Sequence, residues 1–233
     1  LYTHAQSFAF NCSRDTLVPG CPANLCITLK GVIPDLHGLD NTYAVNPVSS
    51  SSCFPVYSDP SIPRTWTSLS TDDVYSPLIN IGFPFPFYGT TYNDLKVSSN
   101  GYLTFNTALS RFSHYGILNS GGSLSATSGT PQNLPSALYA QAIIMGCYHD
   151  IDISVTTSPN RRIQYTTVGT APHRRWVLSF YKIPLFSGAC NNLIENTHQI
   201  ILYESTGVIE VTIFDKQICN SWNRGRAMIG IQN

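Results

Sequence analysis

The sequence predicts an all-β protein, built as an antiparallel β-sandwich or a barrel-like sheet with few or no long helices. Apolar residues recur at every second position from Ile79 to Phe87, which is the period of a strand with one buried face. Asn100-Gly101 is a strong hairpin signal between two further apolar segments. Other short apolar segments are separated by turn residues, and almost none has the period of an amphipathic helix.

The strand from Ile79 to Phe87 carries two prolines on the face opposite its phenylalanines, Pro84 and Pro86. A proline cannot donate to a strand ladder, so we expect this strand to lie at an edge or to end in a bulge. The chain then returns and, after the Asn100-Gly101 turn, leaves along a third strand. These three strands form a predicted β-meander with a phenylalanine-rich inner face.

The remaining segments suggest one continuous domain. We expect residues 1–65 to hold N-terminal strands and a Ser/Pro-rich excursion stapled by disulfides, and residues 66–233 to form the main sandwich. Residues 107–135 are rich in Ser, Gly and Thr and have no apolar period, so they predict a surface loop. Alternating residues predict a strand over 175–183 and a hairpin over 198–214.

Composition excludes several classes of function. Charged residues make up only 11% of the chain and the formal net charge is zero, so nothing favours binding to nucleic acid or to an anionic membrane. No run of 18 apolar residues occurs, and we therefore expect no membrane insertion. Solubility depends on uncharged polar and aromatic side chains, which is typical of secreted proteins and of sugar-binding faces.

Seven cysteines in 233 residues predict an oxidising compartment, and an odd number leaves at least one unpaired within the chain. Disulfides are favoured over a metal site, because the Cys21-x4-Cys26 spacing has no second clustered pair to complete a zinc site. The pairing among the four N-terminal cysteines stays open. These four are Cys12, Cys21, Cys26 and Cys53.

Asp150 and Asp152 form the most suggestive polar pair. At positions i and i+2 of a strand, both carboxylates point to one face, about 7 Å apart. Capping of turns by the two carboxylates is the favoured interpretation. A Ca2+ site is the alternative, and acid–base catalysis is the third. A Ca2+ site needs more oxygen ligands, and Asp72 and Asp73 are the obvious donors elsewhere in the chain.

Candidate ligand-binding residues are aromatic or basic. Trp222, Tyr115 and Tyr148 could stack on a sugar ring, although a tryptophan beside a disulfide cysteine more often packs in a core. Arg174 and Arg175 could bind an acidic sugar, although strand-end charges more often discourage edge pairing. No serine-hydrolase elbow, zinc-protease motif or phosphate loop is found, so we do not expect an enzyme.

Several segments resemble a domain of very large secreted surface proteins of Bacteroidetes, those associated with gliding motility and type IX secretion. Nidogen-like extracellular domains share the Asn-Gly turn and the Asp-x-Asp strand end. The resemblance implies a disulfide between Cys190 and Cys219 and leaves Cys147 as the unpaired thiol. It rests on DDVYSPLINIGFPFPFYGTTYN, SSNGYLTFN, AIIMGCYHDIDIS, VGTAPHRRWVLSFYKIPLFS, HQIILYESTGVIEVTI and CNSWNRGRAMIGIQN, with CPANLCITLKG as a weaker match.

The expected function is therefore a non-enzymatic cell-adhesion module of a large bacterial cell-surface protein, secreted and followed by further domains of the same polypeptide. It would bind a surface glycan or protein through loops 107–135 and 184–197 and the nearby aromatic residues. A structural cap or fibre-contact domain is one alternative, and a secreted glycan hydrolase using Asp150 and Asp152 is another. Ca2+ is the only cofactor considered.

Overall fold

The computed structural model describes Tyr43 and residues 64–110, 112–186, 188–190 and 194–233. Within these residues there are thirteen strands, two 3-10 turns and no α-helix, so the prediction of an all-β antiparallel fold is confirmed. None of the described helices is long and apolar enough to cross a bilayer. The strands are β1 Thr65–Trp66, β2 Ile79–Phe87, β3 Thr90–Val97, β4 Tyr102–Thr104, β5 Leu118–Ser120, β6 Ser123–Ser125, β7 Thr130–Pro131, β8 Ile143–Tyr148, β9 Arg162–Val168, β10 Arg175–Pro184, β11 Glu195–Tyr203, β12 Ile209–Lys216 and β13 Met228–Gln232.

Two five-stranded sheets form the sandwich. The first sheet has the strand order β1-β9-β10-β11-β12, and the second has the order β13-β8-β4-β3-β2. Their inner faces share one apolar core, because alternate residues of each strand point to the same side. Ile81 and Phe85 of β2, Ile144 of β8, and Trp176 and Phe180 of β10 all belong to this core and are fully buried or nearly so.

A third, smaller sheet covers the outer face of the second sheet. Strands β5, β6 and β7 pair in the order β6-β5-β7, and Leu118 packs against Tyr102, Ile143 and Met145. All six residues of β8 are consequently buried, since this strand has apolar layers on both sides. The expectation of an irregular loop over 107–135 was wrong, because strands of two or three residues are too short to show a period.

The two prolines of β2 lie on an edge strand, as expected. Strand β2 is the outermost strand of its sheet, and its pairing with β3 shifts register between Asn80 and Phe85. The predicted edge position is therefore confirmed, whereas the irregularity lies inside the strand and not at its end. The five apolar side chains of the strand are all buried, in strict alternation with its other residues.

Cys190 and Cys219 form a disulfide, as the resemblance implies, with Cα atoms 6.1 Å apart. The bond ties the 3-10 turn Gly188–Cys190 to the segment that follows β12. Cys147 is a free and buried thiol. The four N-terminal cysteines lie outside the described residues, as does nearly all of the predicted excursion over 1–65. The predicted division at residue 65 stays a prediction.

Candidate metal centre

The end of β8 leads into an acidic cluster. Strand β8 ends at Tyr148, and Asp150 follows two residues later with only 2% of its surface exposed. A second segment, which holds Asp72 and Asp73, joins it there from the region before β2. These three carboxylates each offer an oxygen atom, and the three oxygens lie within 4.8 Å of one another. Asp72 and Asp73 are half-buried, so the cluster has one side open to solvent.

The turn between β3 and β4 holds Asp73 in place. Asn100 is fully buried, and its Nδ2 donates to Asp73 Oδ1 at 2.7 Å and to the carbonyl of His114 at 3.0 Å. The Oδ1 of Asn100 accepts from the backbone N–H of Ile151 at 3.1 Å. One amide side chain therefore connects three chain segments around the cluster. Asp73 itself has a φ of 51°, a left-handed conformation that aspartate tolerates better than most residues.

Trp222 holds one oxygen of Asp150 and leaves the other without a partner. The indole Nε1 donates to Asp150 Oδ2 at 2.9 Å. Asp150 Oδ1 is buried and has no hydrogen-bond partner. A buried, unpaired carboxylate oxygen is costly, so its presence in a native fold calls for a physical explanation. A bound cation is one, since it would satisfy Oδ1 and draw on the two neighbouring carboxylates.

Burial and neighbouring charges disfavour ionisation of the carboxyl groups in the cluster. Burial and then the charges of Asp73 and Asp152 raise the pKa of Asp72 to about 7. Burial raises the pKa of Asp150 to about 8, with the charges of Asp73, Asp72 and Asp152 adding to this and the Trp222 hydrogen bond opposing it. The pKa of Asp73 is also raised by burial, against the hydrogen bond from Asn100. Ionisation of all three carboxyls would therefore place their negative charges close together in a partly buried site.

Asp152 has a different position from the one its spacing predicts. Its Oδ1 accepts from the backbone N–H of Ser154 at 2.7 Å, which is the turn-capping role. It contributes to the cluster through its charge, and the group of three candidate ligands does not include it. The predicted pairing of Asp150 with Asp152 is therefore replaced by a grouping of Asp150 with Asp72 and Asp73.

This donor set suits a hard divalent cation. Ca2+ takes six to eight oxygen ligands at 2.3–2.6 Å, so two ligands on opposite sides of the ion are about 4.8 Å apart. The three carboxylates match that limit, with one ligand oxygen from each residue. Their half-open side leaves room for water or for an oxygen of a ligand. Soft metals that prefer thiolate or imidazole ligands find neither in this group.

The other candidate residues are dispersed. Tyr148 is fully buried, with its hydroxyl donating to the carbonyl of Gly116 at 2.8 Å, so it forms no part of a binding surface. Arg174 forms an ion pair with Glu204 and also donates to the carbonyl of Gly82. Arg175 is half-buried beside it on β10, and Tyr115 is exposed near the acidic cluster. Of the five candidates, Trp222 has the most direct link to the cluster.

The sequence identifies Asp72 and Asp73 as possible oxygen ligands. It does not predict that they lie beside Asp150. It missed Asn100 altogether, because an Asn-Gly pair has a sufficient explanation as a turn. The nearby Ser99 offered the same weak signal: its Oγ accepts from the backbone N–H of Val74 at 3.1 Å, which fixes the segment that carries Asp73. The β3–β4 turn of the meander thus positions one of the candidate ligands, Asp73.

The sequence profile of one family, described as NIDO related, matches residues 49–233. The chain belongs to the NIDO-related family. The match includes both sheets of the sandwich and all three aspartates of the cluster, so the acidic cluster lies wholly within the NIDO-related domain. It accords with the nidogen-like features of the sequence. No curated protein and no solved structure matches the chain.

Proposed function

We propose that this NIDO-related domain is a non-enzymatic, extracellular recognition module that holds Ca2+ at Asp72, Asp73 and Asp150. The observation that carries the proposal is the buried Oδ1 of Asp150, which has no hydrogen-bond partner and belongs to a group of three converging carboxylates. A bound Ca2+ would satisfy this oxygen and offset the burial and the carboxylate repulsion that raise the pKa of Asp150.

The extracellular location and the adhesive role rest on other features. A disulfide between Cys190 and Cys219 favours an oxidising compartment, and extracellular fluids supply Ca2+ far more readily than the cytosol does. The resemblance to gliding-associated, type IX-secreted proteins of Bacteroidetes supports a position on a bacterial cell surface, within a longer polypeptide. In this setting the domain would bind a surface glycan or protein, and a fibre-contact role is the alternative.

Hydrolysis is the less favoured alternative. Asp150 Oδ2 is occupied by Trp222 and Asp152 Oδ1 by the backbone of Ser154, so neither residue presents both of its carboxylate oxygens to a substrate. Both residues are also buried. A general acid needs its proton within hydrogen-bond reach of the bond that breaks. We therefore expect incubation with polysaccharides to release no reducing ends. Release that is lost in Asp150→Asn would contradict the non-enzymatic assignment.

Titration with Ca2+ tests the cation site. At a free Ca2+ concentration one hundred times the Kd, binding adds about 2.7 kcal/mol of stability, which raises the Tm of a domain of this size by roughly 5–10 °C. Tb3+ provides a local probe, because it replaces Ca2+ at oxygen sites and emits when a nearby indole is excited. Trp222 donates to Asp150 and is therefore the expected sensitiser.

Asp150→Asn is the decisive variant, since the amide keeps an oxygen for Trp222 and removes the charge. We expect its Ca2+ affinity to fall about a hundredfold or more, and the Tb3+ emission to disappear. Asp215→Asn is the matched control, because Asp215 is exposed on β12 and belongs to no described group of candidate metal ligands. A wild-type domain with no Tm shift and no Tb3+ emission would overturn the proposal.

A further inference from the structure

Most of the exposed aromatic residues border the acidic cluster. Among the described residues, the large aromatic side chains that are exposed are Trp66, Phe112, Tyr115, Phe186 and Phe214. Four of these five are on segments that build or contact the cluster, and Phe214, on β12, is the exception. Exposed aromatic residues that gather around one polar site indicate a binding surface.

Phe112 and Tyr115 lie on the side of Asp73. Phe112, which is 82% exposed, forms a β-bridge with Val74, the residue after Asp73. Between the two aromatics, the backbone N–H of Ser113 donates to the carbonyl of Asp73 at 2.8 Å. The segment that carries both rings is thus hydrogen-bonded directly to the segment that carries a candidate ligand.

Phe186 lies on the side of Asp150. Its backbone N–H donates to the carbonyl of Asp150 at 3.2 Å. Its ring is partly exposed and lies 5.6 Å from the ring of Trp222, centroid to centroid. Trp222 in turn donates to the carboxylate of Asp150. Phe186 and Trp222 therefore form a pair of aromatic rings beside the buried ligand.

Trp66 forms a wall of a pocket on the remaining side. The pocket has a volume of about 220 Å³ and is lined by Trp66, Leu69, Ser70, Ile153 and Arg161. Ser70 precedes Asp72 by two residues, so the pocket wall lies within about 7 Å of that backbone. Ile153 directly follows Asp152. The indole of Trp66 is 59% exposed, which leaves much of the ring available to a ligand.

We propose that the acidic cluster and the Trp66 pocket together bind a neutral glycan, with the cation as a direct ligand of its hydroxyls. The proposal rests on the Ca2+ site proposed above and names the ligand class of that site. Two adjacent hydroxyls of one sugar would complete the Ca2+ coordination on the open side at Asp72 and Asp73. The apolar C–H face of the next sugar would stack on Trp66, and Phe112 would lie at the opposite rim.

Charge favours a neutral glycan over an acidic one. Asp72, Asp73, Asp150 and Asp152 carry four negative charges when ionised, and Ca2+ with Arg161 returns three positive ones. The site therefore keeps net negative charge, which repels a uronate or sulfate. The guanidinium of Arg161 already makes hydrogen bonds within the protein: its Nε donates to the carbonyl of Ile153 at 2.6 Å and its Nη1 to that of Ser158.

Binding to immobilised polysaccharides tests the inference. The probes are a mannan, a galactan and a β-glucan as neutral polymers, a polyuronate as the acidic polymer, and gelatin as a protein. With saturating Ca2+, we expect the domain to bind at least one neutral polymer and to be released by EDTA. Trp66→Ala should weaken this binding about three- to tenfold without changing Ca2+ affinity. Phe214→Ala, the matched exposed aromatic, should leave both unchanged.

The outcomes separate the two proposals. Ca2+ binding with no retention on any neutral polymer overturns the glycan inference and leaves the cation site in place. Retention on gelatin or on the polyuronate alone overturns it as well. Retention that EDTA does not release, or that Trp66→Ala leaves unchanged, shows that the glycan binds elsewhere. Absence of Ca2+ binding, measured by Tb3+ emission, overturns the proposed function and with it the cation-dependent glycan site.

Discussion

Two polar clusters flank the end of β8, and they differ in charge, closure and hydrogen bonding. The acidic cluster is half-open and contains a carboxylate oxygen without a partner. The other cluster, which we call the imidazole cluster, consists of Cys147, His149, Asn196 and His198 and is buried between the two sheets. His149 and Asp150 are adjacent in the chain, and each belongs to a different cluster.

The side chains of the imidazole cluster are uncharged and are joined by hydrogen bonds to Asn196. Asn196 Nδ2 lies 2.8 Å from His149 Nε2 and donates to Cys147 Sγ at 3.3 Å, and Asn196 Oδ1 lies 2.6 Å from His198 Nδ1. These bonds fit uncharged rings, with His149 accepting through Nε2 and His198 donating through Nδ1. Burial lowers the pKa of both rings, that of His198 to about 3. The cluster therefore joins the sheets without holding charge.

The two clusters differ as a structural polar site and a proposed functional one would. Each cluster depends on one buried asparagine, Asn196 in the imidazole cluster and Asn100 in the acidic cluster. Around Asn196 the uncharged polar groups are hydrogen-bonded to one another across the sandwich, and the atom left without a partner there is a neutral ring nitrogen, His198 Nε2. Around Asn100 the carboxylates gather at an open side and repel each other. Only the acidic cluster would be stabilised by a ligand from solvent.

The largest expected difference appears at low pH. The unfolded chain binds a proton to His198 below about pH 6.5, whereas the folded protein binds it only near pH 3, so the contribution of this ring to stability falls as the pH decreases. At pH 4, His198 alone should lower the free energy of unfolding by roughly 3 kcal/mol relative to neutral pH. Urea unfolding of the wild type and of a His198 variant between pH 7 and pH 4 checks this, because the raised pKa values of Asp72 and Asp150 act in the opposite direction over the same interval and cancel in the difference.

Two variants make the acid experiment specific. His198→Gln removes the titrating ring, so between pH 7 and pH 4 its free energy of unfolding should fall by roughly 3 kcal/mol less than that of the wild type, whatever its stability at pH 7. His173→Gln is the control, because His173 is exposed and should leave the pH profile unchanged. A His198→Gln profile that is parallel to that of the wild type would show that the imidazole cluster does not control acid stability.

The two asparagines allow a direct test of the comparison. Asn100→Ala and Asn196→Ala each leave buried hydrogen-bonding groups unpaired, so each should lower the free energy of unfolding by about 2 kcal/mol. Only Asn100→Ala should also weaken Ca2+ binding, because Asn100 orients Asp73. Asn93→Ala, at an exposed position on β3, should change neither quantity. Equal losses of Ca2+ affinity in both buried variants would remove the distinction between the clusters.

The sequence predicts the scaffold of this molecule better than its site. Alternation and proline placement are local properties, so the strand from Ile79 to Phe87 and its edge position could be predicted. Asp150 could be identified as a candidate ligand for the same reason, because the Asp-x-Asp pattern at a strand end is also local. Its grouping with Asp72 and Asp73 depends on how β8 is placed against a segment roughly eighty residues earlier, and a single sequence contains no local signal of that placement. The buried role of Asn100 arises from the same long-range packing.

The smallest expected effect concerns the pH dependence of Ca2+ binding. Cation binding requires ionised carboxylates, and Asp72 and Asp150 have pKa values of about 7 and about 8. Both groups hold protons in the folded protein above their ordinary range, so stability without Ca2+ should decrease as the pH rises toward 8, opposite to the effect of His198. Ca2+ affinity should increase about tenfold between pH 7 and pH 8, which is about 1.4 kcal/mol. Calorimetric titration in buffers of different ionisation enthalpy checks both the affinity and the release of protons. An affinity that is constant over this interval would mean that the carboxylates are already ionised, and that the acidic cluster is less strained than its burial implies.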